Sequence, residues 1–399
     1  MVIGIIGGGA AGMAAAIEAS RNETNKIIIF ERQARVGRKL QATGNGRCNL
    51  TNLNAQLDHY HGQQAEFVHP ALSKFSVENT LAWFRDLGLF TISEESGKVY
   101  PYSDQANSVV DVLRFALEKK NIVLHTGTEV KKVKKQGDCF CIVCDEFQEY
   151  CDQLIIACGG LAGTKLGGTM SGYKLLAKFG HKCTKLRPAL VQLKSDWGAL
   201  SSLKGVRTNC AIEILKDEQL HAQSCGELQF TEYGISGPVV FEVSRDSCSA
   251  PGNWIAQLDF LPHITQTQLL EELRNRVQRN VPATELLTGI LHNRLGRVLT
   301  QVAGASASLD DYQLQDVCKA VKAFRIRLTE PMGMDNAQVT AGGVLTEQFY
   351  AETMESMLVP GLYACGEVLD IDGDCGGFNL QWAWSSGRLA GISAGKERK

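Results

Sequence analysis

The segment that most constrains this chain is its first thirty residues. Val2 to Ile6 is an apolar run of strand length, and it breaks at Gly7-Gly8-Gly9-Ala10-Ala11-Gly12. An alanine-rich helical stretch follows through Ile17, and a second apolar run, Ile27-Ile28-Ile29-Phe30, ends at Glu31. Strand, G-x-G-x-x-G, helix, strand and acid in one unit is the arrangement that holds a dinucleotide. Each glycine has a mechanical task. Gly7 permits the tight turn, Gly9 lets backbone approach a pyrophosphate, and Gly12 lets the helix pack closely on the strand. Ala10 and Ala11 complete the turn, and the helix that follows offers free N–H groups and its positive dipole end to the phosphates. Glu31 stands about twenty positions further on, where a carboxylate accepts hydrogen bonds from an adenosine ribose. That carboxylate argues against a 2′-phosphate, hence against NADP at this site, and leaves NAD and FAD open.

The far end of the chain narrows the choice. Gly361 to Glu367 reads as a short strand ending in Gly366-Glu367, with Asp370 just beyond. Gly376-Gly377-Phe378-Asn379-Leu380-Gln381 then opens a helix that continues through Trp382, Ala383 and Trp384. A second glycine-rich helix start suits a long cofactor whose other end needs its own anchor. Its N–H groups could stabilise negative charge on a reduced flavin's pyrimidine ring. Glu367 and Asp370 are candidates for the ribityl hydroxyls, which favours FAD. Arg38, Lys39 and Arg47 bring three positive charges into a Gly/Asn-rich loop shortly after Glu31 and Arg32. Such a loop can fold over a pyrophosphate, with Leu40 inside it. Asn45, Gly46, Cys48 and Asn49 could line an isoalloxazine rim, where the asparagines supply both donors and acceptors.

Further blocks carry a resemblance. They are Gly37-Arg38-Lys39-Leu40, Thr43-Gly44-Asn45-Gly46-Arg47-Cys48-Asn49-Leu50-Thr51-Asn52, Phe230-Thr231-Glu232-Tyr233-Gly234-Ile235-Ser236-Gly237-Pro238 and Thr340-Ala341-Gly342-Gly343-Val344, together with the run from Gly376 to Gln381. In this order, over nearly the whole chain, they resemble the BaiN/YhiN family of NAD(P)/FAD-dependent oxidoreductases. That family lies among the flavoproteins built on a glutathione-reductase-like FAD domain. The resemblance implies FAD, an inserted β-rich domain and a small helical subdomain, and it sets no substrate. It also implies that Ala157 and Gly159, at a strand end similar to A-T-G-G with Cys158 in the Thr place, line the cofactor. By the same resemblance, Val130 offers its backbone to the adenine edge.

The expected fold is therefore α/β: a doubly wound, Rossmann-like FAD-binding domain made of residues 1–187 and 329–399. An insertion interrupts it, β-rich and barrel-like over 188–264, then helical over 265–328. In the helical part Leu269, Leu270, Leu273 and Val277 recur at helical spacing, as do Leu286, Leu287, Ile290 and Leu291.

Composition excludes several classes. A formal charge of −2 on 399 residues, with no Lys/Arg stripe, gives no reason to expect nucleic acid or an anionic membrane as partner. No apolar run is long enough to span a bilayer and no basic leader precedes the first strand, so a cytoplasmic location with reduced thiols is expected. The 13 cysteines make a poor disulfide framework, and Cys141 and Cys144 would face opposite sides of a strand. The eight histidines show no metal-binding spacing, and no metal is expected. Cys48 is the thiol whose loop should lie beside a flavin; it is the one candidate for redox chemistry, with packing favoured, and no catalytic acid or base is assigned. A second dinucleotide fingerprint is absent from the sequence, so NAD(P)H, as a candidate electron donor, must enter where the substrate does. The reading is an FAD oxidoreductase moving a hydride between flavin and a small-molecule substrate. A flavin-dependent RNA-modifying enzyme, which also begins G-G-G-x-A-G, and a non-enzymatic FAD redox sensor are the alternatives.

Overall fold

Five short apolar segments pair in parallel in the order Leu362–Ala364, Gln153–Ile156, Val2–Ile6, Lys26–Phe30 and Ile122–His125. The central strands are Ile-rich runs buried on both faces, as a parallel sheet covered on both sides requires: Ile3, Ile5, Ile27, Ile29 and Ile155 are all inaccessible. A three-stranded antiparallel sheet, Gln148–Cys151, Cys139–Val143 and Lys132–Gln136, is inserted in the chain between Ile122–His125 and Gln153–Ile156. The computed structural model describes residues 1–305 and 310–396. It divides into two units, one made of Met1–Arg187 with the chain from Val339 onward, the other of Pro188–Gln338.

Two helices dominate the first unit, the N-terminal helix Ala10–Ala19 and the C-terminal helix Phe378–Ala394. They meet along a seam of small residues at four-residue spacing, Ala11 and Ala15 facing Gly387 and Gly391. A Cβ on Gly387 would lie 2.3 Å from the Ala11 carbonyl oxygen, and one on Gly391 2.2 Å from that of Ala15. The two backbones therefore touch, and no larger residue fits. Beside the seam, buried Arg388 pairs with buried Glu18 at 3.1 Å, its guanidinium lying over Phe75 at 4.2 Å and Trp83 at 5.0 Å. A buried charge pair of this kind is costly to break, because removal of one partner strands the other.

The second unit is a closed six-stranded antiparallel barrel. Its strands run in the order Leu193–Ser195, Gly234–Ser236, Gln219–Phe230, Arg207–Lys216, Trp254–Asp259 and Phe324–Pro331. Period-two burial places Cys210, Ile212 and Ile214 inside. The helices Gln266–Gln278, Asn293–Val302 and Asp311–Lys322 share one apolar cluster with the barrel through Leu269, Leu273, Leu295, Leu299 and Val317. Expected boundaries at 265 and 329 thus need revision. The strand Phe324–Pro331 returns after the helices to pair with Trp254–Asp259 and Leu193–Ser195. Barrel and helices form one unit, which extends to Gln338 because the barrel cannot close without that strand. Among the described residues no helix is long and apolar enough to cross a membrane.

Candidate functional site

The glycine turn of the first unit is built as its spacing demands. Gly7 has φ +112°, and a Cβ there would sit 2.3 Å from the Ala157 carbonyl oxygen. A Cβ on Gly12 would sit 1.9 Å from the Gly7 oxygen, whereas one on Gly9 would meet nothing within 4 Å. The N-terminal helix begins with no side-chain cap, and its first internal bond is from the Met13 N–H to the Gly9 oxygen. The N–H groups of Ala10, Ala11 and Gly12 are therefore free donors at the positive end of a helix, an anion site by construction. Glu31 is held rigidly: one carboxylate oxygen accepts from the Gly8 N–H and the other from the Gln33 N–H, both at 2.7 Å. A carboxylate has about four acceptor positions, so two stay available for hydroxyls. Gly159, at φ +69°, has only Glu367 near its missing side chain, at 3.9 Å. Val130 is buried by its side chain, while its backbone N–H and C=O make no hydrogen bond among the described residues.

The loop after Glu31 distributes its charges otherwise than the sequence suggests. Arg32 donates to the carbonyls of Gly167 and Gly168 at 2.8 and 3.2 Å. Arg38, exposed, donates to Gln33 at 2.6 Å. Lys39 pairs with Glu367 at 2.8 Å, and the other oxygen of Glu367 accepts the Thr340 N–H at 2.9 Å. Arg47 is turned to Asp104 and Glu94 and lies over the Tyr100 ring at 4.0 Å, so its charge is taken up by carboxylates and not left for a phosphate. Leu40 is a core residue. Gly44, Asn45 and Gly46 are three consecutive left-handed residues, at φ 57°, 56° and 87°, exposed at the tip of the loop. Asn45 there is strained, since asparagine only tolerates what glycine adopts freely.

Cys48 loses its redox candidacy. It is inaccessible, and burial pushes its thiol up to about 12 despite a hydrogen bond with Thr43 that pulls the other way. The thiolate, which is the reactive form, is absent at neutral pH. Its neighbour Asn49 is more telling. The side-chain oxygen of Asn49 is buried without any hydrogen-bond partner, and a Cβ on Gly377 would lie 2.9 Å from it. An orphaned acceptor at the mouth of the C-terminal helix requires a donor that the chain does not supply.

That helix also starts uncapped, at Gly377 with φ +103°, and its first internal bond is from the Gln381 N–H to the Gly377 oxygen. The backbone N–H groups of Phe378, Asn379 and Leu380 are the available donors. The side chains assigned here to a cofactor are mostly used elsewhere. Gln381 is inaccessible, accepts from Thr51 at 2.6 Å, and donates to the Phe75 carbonyl and Thr80 at 3.0 and 2.9 Å. Asn379 closes the preceding loop on the Gly373 N–H and C=O at 2.9 and 2.7 Å. Buried Asp370 accepts the Gln63 N–H at 3.2 Å. The N–H of Gly366 donates to Ser386 and its carbonyl accepts from Trp382. These side chains build the wall that positions the helix start.

One constellation was not anticipated. Asp374 receives His59 Nδ1 at 2.9 Å and His61 Nε2 at 2.6 Å, and the His59 ring stacks on Phe378 with centroids 4.4 Å apart. Burial alone would raise the Asp374 carboxyl, but hydrogen bonds from His61 and His59 hold it below the ordinary carboxylate value. The sequence signals were slight: a His-x-His alternation, and an acid just ahead of Gly376-Gly377. Among the described residues no group of side chains is arranged to hold a metal ion.

Comparison with known proteins is consistent with this geometry. The model of the HI0933-like protein Rossmann domain matches residues 1–393. A 3-dehydro-bile acid delta(4,6)-reductase of Clostridium scindens is 40% identical, with 98% of each chain covered. A ribosomal RNA dihydrouridine synthase of Escherichia coli is 32% identical over 96% of this chain and 95% of that one. Among solved structures, the 3-ketosteroid delta1-dehydrogenase of Sterolibacterium denitrificans superposes with a TM-score of 0.52 at 10% identity, covering 98% of this chain and 99% of its own. A flavocytochrome c3 fumarate reductase gives 0.51 at 15% identity, with 98% and 78% covered. These two likenesses concern the fold.

Proposed function

This chain belongs to the HI0933-like protein Rossmann family and is an FAD-dependent oxidoreductase, and from that premise we propose that it reduces a carbon–carbon double bond conjugated to a carbonyl on a small molecule, with NAD(P)H renewing the electrons. The observation that carries the cofactor assignment is the pair of uncapped helix starts in one unit, one with open space at Gly9 and the other beside the orphaned Asn49 oxygen. The free N–H groups after Gly9 hold the pyrophosphate, Glu31 the ribose and the Val130 backbone the adenine edge. At the other end, Asn49 and the N–H groups of Phe378 to Leu380 hold the ring. Bound FAD supplies two-electron hydride chemistry. The choice of bond rests on the names of two relatives. A 3-dehydro-delta(4,6) compound carries its double bonds in conjugation with a ketone, and dihydrouridine is uridine with two hydrogens added beside a carbonyl. The molecules differ, but the bond is of one class.

The test is direct. The purified protein should carry the yellow absorbance of FAD, bleach anaerobically with NADH or NADPH, and regain colour on addition of a 3-oxo-4,6-diene steroid. A colourless protein that takes up no FAD, or a reduced one that no conjugated ketone reoxidises, overturns the proposal. A second reading, uracil in ribosomal RNA as the substrate, draws on relatives at 32% and 30% identity that match almost end to end. The net charge of −2 places it behind the small molecule. Appearance of dihydrouridine in a ribosomal RNA transcript incubated with the reduced protein, read by nucleoside mass spectrometry, would reverse that order.

A further inference from the structure

We propose that His59, His61 and Asp374 form the acid–base group that supplies the proton of the reaction, an inference that rests on the conjugated-bond reading above. Reducing such a bond adds a hydride to the carbon remote from the carbonyl and a proton to the carbon beside it. The hydride carries both electrons, so the other carbon needs only a proton donor that can be recharged. An imidazolium N–H gives up that proton, the neutral imidazole regains one from water, and Asp374 stays ionised throughout.

The geometry decides which atoms are left for this work. An ionised carboxylate only accepts hydrogen bonds, so contact with Asp374 places a proton on His59 Nδ1 and on His61 Nε2. His59 Nε2 and His61 Nδ1 are then the exchanging nitrogens. The two imidazoles share one carboxylate as their counter-charge. Both rings are about one-third exposed, at 33%, which gives water the access needed for recharging. The group is also fixed to the helix start. The Asp374 N–H donates to the His59 carbonyl at 3.0 Å, and Tyr60–His61 pairs antiparallel with Asp372–Gly373. Asn379 donates to the Asp374 carbonyl at 3.3 Å, and Phe378 stacks under His59. Other ionisable groups packed nearby are Tyr60, whose hydroxyl donates to the Phe378 carbonyl at 3.1 Å, Asp372, Cys375, and Lys98, whose chain runs beside Gly376. Burial keeps Tyr60 in its neutral form.

A mere loop staple would give the same bonds, so the test must read protons. In FAD-loaded protein with labelled histidines, NMR reads the protonation of the His59 and His61 rings. Reduction of the flavin with dithionite should change the proton affinity of the pair at least tenfold, and Asp374→Asn should abolish the link. His59→Gly or His61→Gly should retain FAD, slow reduction of the steroid probe at least tenfold, and recover in buffer containing imidazole. The proposal is overturned if the two rings ignore the flavin's redox state, if both variants keep the parent pH profile, or if a divalent cation copurifies with the parent and is lost in Asp374→Asn. If the rings respond to the flavin but no conjugated ketone is reduced, the substrate reading falls and the proton group stands. If the ketone is reduced and the rings are silent, the proton group falls alone.

Discussion

At the N-terminal helix the approach to a ligand is made by glycines within one short stretch, with contacts from backbone to backbone at Gly7, Gly12 and Ala157. At the C-terminal helix the same kind of opening is held in place by side chains that reach across the chain. Thr51, Thr80 and the Phe75 carbonyl fix Gln381, and His59 lies against Phe378. The first opening tolerates no added atom at Gly7 or Gly12; the second tolerates none at Gly377 and depends in addition on hydrogen bonds from distant segments. Chemically similar helix starts thus differ in how far along the chain their supports lie.

The comparison can be broken most sharply at Gly12. Gly12→Val should cost about 3 kcal/mol or more and leave the protein unfolded or devoid of FAD, since its Cβ would lie 1.9 Å from a backbone oxygen. Gly9→Ala, with open space in front of it, should fold normally and lose only FAD affinity; thermal melting and the flavin-to-protein absorbance ratio separate the two. Next comes Gln381→Ala, which strands the Thr51 and Thr80 hydroxyls in the core, while the Phe75 carbonyl keeps its bond from Ser385. A loss of roughly 2–4 kcal/mol in chemical denaturation is expected, with FAD affinity of the folded fraction unchanged. A large drop in affinity without a stability loss would show that Gln381 touches the cofactor after all. Glu31→Gln should weaken FAD about tenfold in fluorescence titration, roughly 1.4 kcal/mol, while the fold persists. The Lys39–Glu367 pair is partly exposed at both ends, so Lys39→Met should change stability by less than about 1 kcal/mol. Smallest of all, Cys48 should resist iodoacetamide at pH 8 until the protein is unfolded, and Cys48→Ala should leave flavin reduction by NAD(P)H unaltered.

The same contrast explains what could be read beforehand. Gly7, Gly9, Gly12 and Glu31 act through local backbone geometry, and spacing encodes that geometry directly. The barrel's closure was not legible, because whether Phe324–Pro331 belongs with the insert depends on its pairing with Trp254–Asp259 and Leu193–Ser195. Arg47 read as a phosphate ligand because charge in a loop shows, whereas the Asp104 and Glu94 that take it up lie far along the chain. Gln381 read as a cofactor residue for the same reason: its position was visible, and its partners Thr51, Phe75 and Thr80 were not. The pairing of His59 and His61 with Asp374 joins segments more than three hundred residues apart through two-residue strands, too short to leave a periodicity.

The seam between Ala10–Ala19 and Phe378–Ala394 bears on how the protein is made. Synthesis proceeds at about 5–20 residues per second, so the first helix waits on the order of tens of seconds for its partner, with its alanine face uncovered. The barrel strands all leave the ribosome before that partner does. Capture of FAD is then a late event in biogenesis.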